Sequence, residues 1–118
     1  MQKYIGIDLG GTGIKIGIVD ENGTILARKS TPTKPNRDED AIIADIVKTI
    51  FDLLLEYGCS LEEIVSVGIG CAGAIDAAAG TVTAANNINF QNTALVQKLR
   101  ASIPKPICLE NDANCAAW

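Results

Sequence analysis

The sequence predicts an α/β fold: a mixed five-stranded sheet, three strands antiparallel and then two parallel, flanked by helices. Three observations predict it. The apolar runs Tyr4-Ile5-Gly6-Ile7 and Ile14-Lys15-Ile16-Gly17-Ile18-Val19 flank a glycine loop, and the second alternates with period two. The stretch from Asp38 to Tyr57 carries apolar residues at spacings of three and four, as an amphipathic helix does. Two later strand patterns each follow a helical one, the order that makes parallel neighbours. A chain of 118 residues has room for one core, and 47% apolar residues with only 4% aromatic suit packing of Ile, Val, Leu and Ala.

Each element follows from local chemistry. After the first two strands, Asp20-Glu21-Asn22-Gly23-Thr24 is a hairpin turn into a third strand near Ile25 to Ser30. Thr31-Pro32-Thr33-Lys34-Pro35-Asn36 carries two prolines and reads as a loop. The helix buries Ile42, Ile43, Ile46, Val47, Ile50, Leu53, Leu54 and Tyr57, and Gly58 supplies its stop. A short turn at Ser60 to Glu63 precedes a buried strand at Ile64 to Ile69, then a loop and a small strand near Thr81 to Ala84. Leu95 to Ala101 suggests a short helix ended by Pro104. Pro106-Ile107-Cys108-Leu109-Glu110 is the last strand, opening at Asn111 into a new helix.

Composition excludes several function classes. The net charge of −4 is spread along the chain, with no basic stripe for nucleic acid or an anionic membrane. No apolar stretch reaches the length of a membrane span. Met1 leads almost directly into a strand, which argues against a signal peptide and for a cytoplasmic protein. Cys59, Cys71, Cys108 and Cys115 have no CxxC spacing, so buried free thiols are expected rather than disulfides. Histidine is absent, which rules out a Ser-His or Cys-His nucleophile and a His-based zinc site within the chain. Carboxylates, amides and backbone donors must carry any chemistry.

The loop Asp8-Leu9-Gly10-Gly11-Thr12-Gly13 is the first candidate for it. Adjacent glycines allow positive φ and leave no Cβ in a ligand's way. Their N–H groups and the Thr12 hydroxyl suit phosphate oxygens, and Asp8 suits a metal bound to those oxygens. The plainer alternative is a tight hairpin turn. A P-loop is excluded because no Gly-Lys-Ser/Thr follows. Gly68-Ile69-Gly70-Cys71-Ala72-Gly73 matches G-x-G-x-x-G, but too few residues follow it to form the helix a dinucleotide needs.

Two polar clusters complete the inventory. Glu110-Asn111-Asp112-Ala113-Asn114 ends a buried strand, and ligands of open α/β sheets bind at the carboxyl ends of strands. Helix capping explains one of these residues but not all of them. Asn86-Asn87-Ile88-Asn89-Phe90 groups side-chain amides, which suit hydroxyl-rich ligands because a sugar hydroxyl both donates and accepts. Loop chemistry is an equal alternative for that segment.

Together these segments resemble the ROK family of repressors, open reading frames and sugar kinases. The residues that carry the resemblance are Ile5 to Lys15, Gly68 to Asp76, Asn87-Ile88-Asn89-Phe90 and Leu109 to Asn114, over essentially the whole chain. Phe90 stands where tryptophan is usual in the family, and Ala85 where proline is frequent. The resemblance implies an actin-like, ribonuclease-H-type ATPase domain that transfers the ATP γ-phosphoryl group to a hexose or N-acetylhexosamine hydroxyl. It assigns Gly10, Gly11 and Thr12 to the ATP phosphates and places Asp8 near Mg²⁺, through water. It matches Asp112 to the general base, and Asn111, Asn87 and Gly73 to the sugar, with Asn86 as a substitute if the register slips by one. Residues 1–118 then correspond to the amino-terminal lobe. The resemblance further implies a second lobe with a His/Cys zinc motif outside the chain, and it admits a homodimer or higher oligomer of the intact protein. The alternative within the family is a sugar-sensing transcriptional regulator.

Overall fold

A computed structural model describes residues 2–34, 36–71, 73–85, 88 and 90–111. Strands β1 (Lys3–Leu9), β2 (Gly13–Asp20) and β3 (Ile25–Pro32) form an antiparallel meander. Helix α1 (Glu39–Tyr57) leads through a 3₁₀ turn at Leu61–Glu63 into β4 (Ile64–Cys71), which pairs parallel to β1. Helix α2 (Leu95–Arg100) leads to β8 (Ile107–Asn111), parallel to β4. The sheet order is β3-β2-β1-β4-β8, the expected mixed sheet. Both helical crossovers, β3 to β4 through α1 and β4 to β8 through α2, step in the same direction across the sheet. Right-handed connections therefore put α1 and α2 on one face, where they touch.

Side-chain alternation then divides the sheet. Ile5, Ile7 and Leu9 of β1 and Ile14, Ile16 and Ile18 of β2 are buried with the apolar stripe of α1. Tyr4, Gly6 and Asp8, with Lys15, Gly17 and Val19, take the opposite face. There Gly17, Gly6 and Gly68 stand in register across β2, β1 and β4. They line an open trough of about 530 Å³ with Asp8 and Lys15 at one end.

Local chemistry sets the boundaries. Asp38 caps α1 by accepting the Ala41 N–H at 2.8 Å, and Gly58 ends it in the left-handed region at φ 85°. Within the helix Ile42, Ile43, Ile46, Ile50, Leu53 and Leu54 are buried as expected, whereas Tyr57 turns outward at the last turn. Asp20 closes the β2–β3 hairpin by accepting the N–H groups of Asn22 and Thr24, each at 2.9 Å.

The loop expected after β4 is instead a second sheet, with order β5-β6-β7. Its strands are β5 (Gly73–Asp76), β6 (Thr81–Ala85) and β7 (Gln91–Thr93). These strands are short and mostly half-exposed, so they lack the apolar run that marks a buried strand.

The free thiols divide by face. Cys59 and Cys71 are buried, but Cys108 is exposed, against expectation. It pairs with Gly68 on the row of the sheet that α1 and α2 do not cover, while Cys115 lies outside the described residues. Among the described residues no helix is long and apolar enough to cross a membrane.

Candidate active site

The site is assembled at the carboxyl ends of the three parallel strands. Register places Leu9, Cys71 and Asn111 in one row, and Asp8, Gly70 and Glu110 in the next. The glycine loop after β1 and the Asn111 end of β8 therefore share one sheet edge, two strands apart. At ordinary strand spacing that is about 10 Å. The side chain of Asn111 and all of Asn86, Asn87 and Asp112 lie outside the described residues.

Loop geometry corrects one expectation. The left-handed glycines among the described residues are Gly23, Gly58, Gly73 and Gly80, not Gly10 or Gly11. The β1–β2 turn closes over four residues, with the Gly10 N–H donating to Gly13 O at 3.0 Å, and this wider turn needs no positive φ. A Cβ at position 10 would sit 3.0 Å from Gly13 O, a tight contact that the turn would have to relax by a few tenths of an ångström. The Gly11 and Thr12 N–H groups and the Thr12 hydroxyl make no hydrogen bond among the described residues. They form a set of donors with no acceptor of their own, as a phosphate cradle requires.

Asp8 lies on the open face directly across from Lys15 of β2. Neither side chain has a hydrogen bond or ion pair among the described residues, so both charges stay available at the mouth of the loop. No cluster of three His, Cys, Asp or Glu among the described residues suggests a protein-built metal cage. One unpaired carboxylate beside free amide donors fits Mg²⁺ differently. Mg²⁺ is usually held by one or two carboxylates together with substrate phosphates and water.

Gly73 opens β5 with φ 133°, where a Cβ would lie 2.5 Å from Ala84 O and 2.8 Å from Ala85 Cα. The close approach of β6 thus demands glycine independently of any ligand. The G-x-G-x-x-G segment runs along β4 into β5 with no helix after it, as its spacing required.

Sequence reading missed Thr33, which holds the loop from behind. Thr33 is fully buried. Its hydroxyl donates to Gly10 O at 2.6 Å and its N–H to Thr12 O at 3.2 Å. Arg37 in turn donates to Thr33 O at 2.8 Å and pairs with Asp45 of α1 at 2.8 Å. The available signal was a lone threonine between two prolines, indistinguishable from ordinary loop chemistry.

Comparison with known proteins agrees with this architecture. The chain is 41% identical over its full length to a glucokinase of Streptomyces coelicolor, of which it spans 35%. It is 33% identical over 97% of its length to an N-acetyl-D-glucosamine kinase of Escherichia coli, of which it spans 36%. It superposes with a TM-score of 0.85, at 36% identity, on the crystal structure of a ROK family glucokinase from Streptomyces griseus in complex with glucose and AMPPNP. That match covers 98% of this chain and 35% of the other, and its fold is the actin-like ATPase fold. The chain thus spans about a third of the length of the curated relatives it matches. The model of the ROK family matches residues 4–118, and the chain belongs to that family.

Proposed function

We propose that the intact protein phosphorylates a hydroxyl of a hexose or N-acetylhexosamine with ATP, and that residues 1–118 are its amino-terminal lobe. One observation carries the reading: the unpartnered donors of the Gly10–Thr12 loop and the Asn111 end of β8 share one sheet edge. Kinship with sugar kinases supports the substrate class.

In this reading the Gly11 and Thr12 N–H groups and the Thr12 hydroxyl hold phosphate oxygens, with Gly10 leaving room for them. Asp8 would hold Mg²⁺ through water, and the ion would supply positive charge to the phosphates. Asn87, Asn111 and the backbone at Gly73 hold the sugar. Asp112 takes the proton of the sugar hydroxyl as its oxygen bonds to the γ-phosphorus, and the bond to the ADP oxygen breaks. Positioning and charge neutralisation carry most of such a reaction, because its transition state is loose. A general base adds about 10²–10⁴-fold.

A coupled ATP-consumption assay of the intact protein, with a panel of hexoses and N-acetylhexosamines, tests the reading. Turnover with at least one sugar is expected. Asp112→Asn should then lower kcat about 10²–10⁴-fold while sugar affinity stays within about tenfold. Sugar binding without turnover would favour the regulator instead.

A further inference from the structure

We propose that Thr33 is a positioning residue that aims the amides of the Gly10–Thr12 loop at a bound phosphate. The inference rests on the kinase reading only for the identity of that phosphate as ATP's. The two bonds made by Thr33 differ in kind. Its N–H to Thr12 O continues the β2–β3 ladder past the Gly13–Pro32 pair, and any residue except proline supplies it. Its hydroxyl to Gly10 O is specific to the side chain, and it ties the end of β3 to the far arm of the loop across β2.

That bond has a directional consequence. A trans peptide is planar, with its C=O and N–H pointing to opposite sides. Holding Gly10 O toward Thr33 therefore turns the Gly11 N–H away from Thr33. The Gly11 N–H is one of the loop donors with no partner among the described residues. The glycines flanking this peptide leave its orientation otherwise weakly determined.

Thr33 is itself held from the helix layer. Arg37 donates from Nη2 to Thr33 O at 2.8 Å, and from Nε to Lys34 O at 3.3 Å, and it pairs with Asp45 of α1. Lys34 adopts φ 50°, a left-handed conformation uncommon for lysine, and so turns the chain away immediately after the contact. The brace thus runs from α1 through Arg37 and Thr33 to the loop.

The test compares Thr33→Val, which keeps shape and removes the hydroxyl, with Thr33→Ser, which keeps the hydroxyl. ATP and sugar affinities of the intact protein are measured separately by titration calorimetry, alongside turnover. Thr33→Val should weaken ATP binding about tenfold or more, the size of one buried hydrogen bond lost, with sugar affinity little changed. Thr33→Ser should bind ATP within about threefold of the parent. Unchanged ATP affinity in Thr33→Val, or equal losses of ATP and sugar affinity, would overturn the proposal. Should Thr33→Val fail to fold, Arg37→Gln should weaken ATP binding selectively and by less, and no selective loss would count against the brace. A parent that binds ATP but phosphorylates no sugar defeats the kinase reading alone, since the calorimetric comparison still reads Thr33.

Discussion

Replacing Gly73 by alanine separates a packing requirement from a ligand contact. Gly73 has φ 133°, and a Cβ there would meet Ala84 O at 2.5 Å and Ala85 Cα at 2.8 Å. Both are backbone atoms of β6, so no side chain can swing aside to relieve the contact. Forcing an L-residue into this region costs about 1–3 kcal/mol, and overpacking adds about 1–3 kcal/mol, for about 2–6 kcal/mol in all. Gly23 provides an internal control. It has φ 84° with nothing within 4 Å of a Cβ, so Gly23→Ala carries only the conformational cost, about 1–2 kcal/mol. Urea unfolding of the chain followed by circular dichroism reads the difference. With a slope of about 2 kcal/mol/M, the midpoint should fall by about 1–3 M for Gly73→Ala and by about 0.5–1 M for Gly23→Ala. Equal shifts for the two variants would refute the steric argument. Glycine at position 73 would then be explained by its positive φ rather than by the approach of β6.

Two further substitutions test the core and the surface. Ile46 is completely buried on the sheet-facing side of α1, and Ile46→Ala should cost about 2–5 kcal/mol in the same urea assay. The Glu63 carboxyl is held down to about 2 from its usual 4.5, first by the Ser60 N–H at 2.8 Å and then by Lys3 at 3.2 Å. A pKa depressed in the folded state stabilises above the unfolded value and loses that contribution as pH falls through the folded one. The stability difference between parent and Glu63→Gln should therefore be constant above about pH 4.5 and vanish toward pH 2. Added salt should shrink it, since the pair is exposed.

Much of the fold was legible because single residues announce it. Gly58 marked the end of α1, Asp20 to Thr24 the hairpin, and the isoleucine spacings the face of α1 that meets the sheet. The three-stranded sheet was legible only at β6, because β5 and β7 are too short and too exposed to show a periodic signal. Tyr57 and Cys108 were misplaced for a related reason. Apolar spacing says which residues can share a face, but not where a helix runs past its sheet or which side of an edge strand a layer covers.

By itself the sequence determined the succession of strands and helices, the helix face and the candidate loop, since periodicity, turn chemistry and capping act over a few neighbouring residues. Tertiary structure alone decided that a Cβ at Gly10 would crowd Gly13 O, that Gly73 is pressed against β6, and that Asp8 and Lys15 stand side by side. It also showed that Thr33, 23 residues from Gly10, is the residue that holds the loop. These are contacts across turns and between strands rather than along one element. Their distances are set by strand register and crossover, which no local pattern encodes.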